Sequence, residues 1–131
     1  MRSYNHFIPS DEVETITKKR YRYVEHLYAT SYLKMATGNK MTSLKESIGF
    51  CRKSLEHNPE YGLAYYKAGD DYLKLGNLPE AAHAYEKAAF YMPIVLDIWQ
   101  KLLMTYQTEG SLTEQKRIQD RIQEIQKTYA E

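Results

Sequence analysis

One spacing constrains this chain more than anything else in it. Gly76 and Gly110 stand 34 residues apart, and the same interval separates Tyr65 from Trp99, Tyr72 from Tyr106, Leu78 from Leu112 and Pro59 from Pro93. An aromatic, a turn glycine and a closing proline at one fixed period mark a two-helix unit that is repeated. A unit so short buries its apolar face only by stacking on the next. Glycine and proline are otherwise scarce, six and four in the whole chain, and they fall between stretches of helical period. No strand-turn punctuation interrupts those stretches, so the chain is expected to be all-α.

The punctuation also divides the helices. The first runs from about Asp11, opened by a D-x-x-E signal with Glu14, to Thr37, and stops at Gly38-Asn39. The apolar spacing of Val13 and Ile16 lapses at Lys18 to Arg22 before Tyr23, Leu27 and Tyr28 resume it, which leaves room for a break there. A second helix, near Thr42 to His57, carries Leu44, Ile48, Cys51 and Leu55 as one stripe and ends at Asn58-Pro59. The third extends from about Glu60 to Leu75. The fourth holds Pro79 in its first turn, where the missing N–H is harmless, and runs to about Tyr91. A fifth covers Val95 to Thr108 and a sixth Leu112 to Tyr129. Helices joined by such short turns lie antiparallel.

From Gly62 to Val95 the residues Tyr65, Ala68, Gly69, Tyr72, Gly76, Ala81, Tyr85, Ala88 and Pro93 give a pattern that resembles the tetratricopeptide repeat. Within it, Gly69 and Ala81 are expected to face each other where the helices cross at about 8–10 Å. Tyr65, Tyr72 and Tyr85 would fill the wider gaps, with Ala84 on a more exposed face. The unit 62–95 is thus a second repeat. The unit 96–131 is a third, keeping Trp99, Leu102, Tyr106 and Gly110 but holding Leu103, Gln115 and Gln119 at other signature places. Its last helix, with one stripe of Leu112, Ile118, Ile122 and Ile125, reads as a terminal cap.

The unit 24–61 is a divergent first repeat. Its signature is carried by Leu27, Ser31, Gly38, Ser47, Cys51, Ser54 and Pro59, with about four residues, Asn39 to Thr42, inserted in the turn. Residues 1–23 form an N-terminal extension and the start of the first helix. Its Tyr4, Phe7, Ile8, Val13 and Ile16 would cap the first repeat or dock a second copy, so a homo-oligomer is compatible with the sequence. The resemblance implies a right-handed α-solenoid of about three repeats acting as a non-enzymatic adaptor or chaperone. The small chaperones of type III secretion, similar to three such repeats, are an alternative.

Charge and chemistry restrict function further. With 18 basic and 17 acidic residues the net charge is +1, so any electrostatic role is local. The only basic cluster, Lys18-Lys19-Arg20-Tyr21-Arg22-Tyr23, mixes cations with aromatics in a way that grips nucleic acid. Flanking Asp11, Glu12, Glu14 and Glu25 favour a solvated or internally paired face instead, which makes nucleic acid the lesser alternative. No apolar run reaches membrane-spanning length and no signal peptide is evident, so the expected location is cytoplasmic, without membrane insertion. Glu80 and His83 form an E-x-x-H pair that lacks the partners a metal site needs, and no cofactor is implied. Lone Cys51 lies on the apolar stripe, on a different face from His57, as a structural thiol and not a nucleophile.

The resemblance leaves a groove lined by the first helix of each repeat. Its ligand-contacting places fall on Glu25, Tyr28, Tyr32 and Met35, on Leu63, Tyr66, Asp70, Leu73 and Lys74, and on Asp97, Gln100, Met104 and Gln107. A Tyr- and Met-rich set suits an apolar helix or an extended peptide from another protein. Members of the family that take acidic chaperone tails use Lys, Asn and Arg in a clamp. Here those places hold Tyr28, Tyr32, Lys67, Asp97 and Lys101, so the resemblance does not extend to that ligand.

Overall fold

The computed structural model describes residues 10–38 and 43–129. Six helices follow one another: α1 (Ser10–Gly38), α2 (Leu44–His57), α3 (Gly62–Lys74), α4 (Leu78–Tyr91), α5 (Leu96–Glu109) and α6 (Leu112–Tyr129). They pack in consecutive pairs, giving three helix-turn-helix units in an all-α solenoid, with no strand among the described residues. The expected insertion at 39–42, the residues Tyr4, Phe7 and Ile8 of the extension, and the side chains of Asp11 and Ile16 lie outside the described residues.

The 34-residue period is mechanical. Gly76 and Gly110 both adopt a left-handed backbone, φ 80° and 81°, at the ends of α3 and α5. In each case the following N–H reaches back to close the helix, Asn77 to the Tyr72 carbonyl at 2.9 Å and Ser111 to the Tyr106 carbonyl at 3.1 Å. Asn77 then caps α4, its side chain accepting from the Glu80 N–H. The proline of the preceding unit also has a partner: the Trp99 indole donates to the Pro93 carbonyl at 2.9 Å.

The main core is built by α4, α5 and α6 from Ala81, Ala82, Tyr85, Ala88, Ile98, Trp99, Leu102, Ile118 and Ile125. The first-to-second repeat contact is more polar. Ser47 and Ser54 stand 34 residues before Ala81 and Ala88, equally small, but their hydroxyls have work. Ser54 donates to the Ala29 carbonyl at 2.7 Å, and Ser47 donates to the fully buried carboxylate of Asp71. Lys67 Nζ sits 3.1 Å from the other Asp71 oxygen, so the buried charge is compensated.

Three sequence expectations are corrected, and the question of a break in α1 is settled. α1 is one unbroken helix from Ser10 to Gly38, running through Lys18 to Arg22, where the apolar spacing leaves room for a break. α2 begins with a capping box, in which Ser43 and Glu46 exchange side-chain and backbone bonds. In the first repeat the inward residues of α1 are Ala29, Leu33 and Ala36, whereas Leu27 is 48% exposed and Ser31 is exposed. Nearest to Gly69 is the Tyr85 ring, 2.7 Å from where an added Cβ would lie, so it is this ring that Gly69 makes room for. Ala84 is not on an exposed face. It is 4% exposed and lines a cleft of about 130 Å³ with Ile48, Cys51, Ala68 and Tyr72. Leu112 is off the stripe of α6 and exposed, while Ile118 and Ile125 are buried.

Candidate interaction groove

The residues named for the groove separate into two structural groups. The first gathers at His57, the last residue of α2. His57 Nδ1 lies 2.6 Å from Glu25 Oε2, and the imidazole stacks on Tyr28 and Tyr32 with ring centroids 5.1 and 5.6 Å away. Thirty-four residues on, Tyr91 occupies the place of His57 and stacks on Tyr65, a signature residue packed within its repeat. By that equivalence Glu25, Tyr28 and Tyr32 are turned towards α2. Met35, farther along α1, is exposed.

The second group bridges repeats two and three. From α3, Tyr66 donates its hydroxyl to Asp97 at the start of α5, and Asp70 accepts from the Tyr85 hydroxyl of α4. Lys101 joins the two acids, 3.0 Å from Asp70 and 3.9 Å from Asp97, with its ammonium 4.5 Å from the centre of the Tyr66 ring. Burial alone would lower the Lys101 pKa, but the bonds to Tyr66 and Asp70 and the Asp70 charge outweigh it and hold the ammonium above its ordinary value. Burial, then the bond to Asp97, raises the Tyr66 phenol. The result is a polar platform tied across the second and third repeats, whose Tyr and Lys members both hold their protons more tightly than usual.

Apolar side chains flank this platform. Leu63 and Met104 are 48% and 46% exposed. Lys74, Gln100 and Gln107 are exposed too, whereas Leu73 is half-buried and packs against the core. Lys101 and Tyr85 were not among the expected groove residues. Lys101 carried one legible signal, its position four residues after Asp97 on a helix, where opposite charges meet.

The remaining candidates for chemistry are placed as follows. Cys51 is 1% exposed, and burial, with Asp71 adding to it against Lys67, pushes its thiol up to about 12, so it stays protonated at neutral pH. Glu80 and His83 are exposed at the rim of the α2–α4 cleft, and no three metal-binding side chains converge among the described residues. The basic run lies on the exposed first half of α1, where Lys18 is 3.2 Å from Glu14. No described helix is long and apolar enough to cross a membrane.

No family model and no curated protein matches this sequence. Its fold is similar to solved structures of MamA, a helical repeat protein. One crystal structure of MamA aligns with a TM-score of 0.72 at 25% identity, over 78% of this chain and 60% of that one. A second gives 0.71 at 23% identity, over 86% and 64%. A point mutant of MamA gives 0.58 at 16%, over 79% and 72%. The chain therefore spans less than two thirds of the first two MamA chains, and the likeness establishes the repeat architecture.

Proposed function

We propose that this chain is a non-catalytic scaffold of tetratricopeptide-like repeats that holds a segment of another protein along the first helices of its second and third repeats. The observation that carries this reading is the bridge between those repeats. Leu63 and Met104, half-exposed apolar side chains, flank a platform that Asp70, Lys101, Asp97 and Tyr66 hold rigid. Preorganised polar groups between exposed apolar anchors lower the ordering needed on binding. The likeness to MamA structures is consistent with a scaffold built from stacked helix pairs. An adaptor and a chaperone use such a groove in the same way and differ in what they release.

Capture of the partner from a native lysate tests the reading. Replacing Leu63 and Met104 together by Gln removes two half-exposed anchors that lie outside the buried core clusters. Each buried anchor is worth about 2 kcal/mol, or roughly thirtyfold in affinity, so capture is expected to be lost while the helical spectrum is retained. The comparison is Lys19→Ala with Arg20→Ala on the exposed half of α1. Loss of capture in this pair, with none in the Leu63 and Met104 variant, would move the working surface to the basic arm and overturn the groove.

A further inference from the structure

Resting on the groove reading and narrowing it, we propose that the occupant is a basic amphipathic segment. It sets an arginine or lysine against Asp97 while its apolar side chains cover Leu63 and Met104. The argument begins with an imbalance. Asp70 and Asp97 bring two carboxylates to a single ammonium, Lys101, so one negative charge is left over. The two acids are not equivalent. Asp70 is the more enclosed, takes the shorter contact with Lys101, and also accepts from Tyr85. The Asp97 side chain is 58% exposed and holds Lys101 only at the longer distance, so the surplus charge sits on Asp97 at the surface.

Among the described residues no nearby cationic side chain is free to cancel it. Lys101 is pinned by Asp70 and lies over the Tyr66 ring. Lys67 is committed to buried Asp71 at 3.1 Å. Lys74 stands one turn beyond Asp70, at the end of α3 away from Asp97, which confines the acidic spot to the start of α5. A carboxylate offers about four lone-pair positions, and Asp97 uses one of them for the Tyr66 hydroxyl while Lys101 stays at 3.9 Å, so it can still accept from an incoming N–H donor. Charge complementarity thus sets the sign of the occupant, and the flanking Leu63 and Met104 set its amphipathic character. An acidic segment would meet repulsion at the same place.

The test uses the full chain and three synthetic Leu- and Ala-rich helical peptides, identical except for one central residue, Arg, Gln or Glu. Binding is followed by fluorescence anisotropy at low and high salt. The Arg peptide is expected to bind on the order of tenfold tighter than the Gln peptide, and the Glu peptide weakest, with the preference shrinking in salt. Asp97→Asn preserves an acceptor for Tyr66 and should leave the fold intact while abolishing the preference. An Arg peptide that binds no better than Gln, or a preference that survives Asp97→Asn, overturns the proposal. If all three peptides bind equally and all weaken in the Leu63→Gln, Met104→Gln variant, the basic occupant is refuted and the groove stands. Absence of any Arg-peptide binding also refutes it, leaving the groove to the lysate experiment.

Discussion

Ala81 and Ala84 are both buried on α4, yet they meet different surroundings. Ala81 is packed in the main core, whereas Ala84 borders the cleft of about 130 Å³. Ala81→Leu is expected to overpack and destabilise by about 1–3 kcal/mol, and Ala84→Leu by clearly less, because its extra carbons enter existing space. Urea midpoints of the two variants check the order, and equal losses would contradict it. Gly69 supplies a second expectation. Alanine in a helix interior is ordinarily favoured over glycine by about 1 kcal/mol, but here its Cβ would meet the Tyr85 ring at 2.7 Å. That ring is fully buried and tied to Asp70, so it cannot swing aside. Gly69→Ala should therefore destabilise on the order of 1 kcal/mol, and should become neutral or stabilising in a Tyr85→Leu background. The sequence showed that positions 69 and 81 must be small but did not single out the Tyr85 ring as the neighbour that Gly69 makes room for. Periodicity assigns a residue to a face of its helix; it does not say which side chain of the next helix reaches that face.

At the scale of elements, α1 shows why a lapse in apolar period is not a break. Lys18, Lys19 and Arg20 are good helix formers, so the backbone continues through them, and what the lapse reports is that their side chains stay exposed. From Glu12 to Val24 every described side chain is exposed, and buried residues begin only with Ala29. An unpacked helical stretch of this length is marginal in water, while the half against α2 is held by Ser54 and the His57 cluster. Hydrogen exchange is therefore expected to be fast for amides before Val24 and slow from Ala29 to Ala36; uniform protection along α1 would contradict this. The turn glycines and the long periodic helices were legible because each has its own chemical cause. The register of the first repeat was not. Leu27 and Ser31 were matched to signature places by spacing alone, and only the packing of Ala29, Leu33 and Ala36 reveals the true inward face.

For the molecule as a whole, the groove was half legible. Tyr66, Asp70 and Asp97 were named from the repeat resemblance, but the charge balance that gives them a preference depends on Lys101, whose reach across to Asp70 spans 31 residues of sequence. The same burial that organises this platform couples the entire fold to alkaline pH. Burial pushes the Cys51 thiol from 9.0 up to about 12 and raises the phenols of Tyr61, Tyr65, Tyr66, Tyr85 and Tyr106 above 10.0. Lys101 is held above 10.5 by Tyr66 and Asp70 against the opposing effect of burial. All these shifts have one sign. In each the folded chain keeps a proton that the unfolded chain gives up, so stability is full below the unfolded values and falls as pH rises through the folded ones. The melting temperature is accordingly expected to show no loss from these groups between pH 7 and about 9, then to fall progressively towards pH 12, with tyrosinate absorbance appearing together with unfolding. Cys51→Ala should delay the onset of that fall from about 9 towards 10, since the thiol is the first of these groups to ionise in the unfolded chain. A melting temperature unchanged up to pH 12, or tyrosines that ionise well before the helices melt, would mean that these side chains are wetter than the packing of α3 to α5 requires.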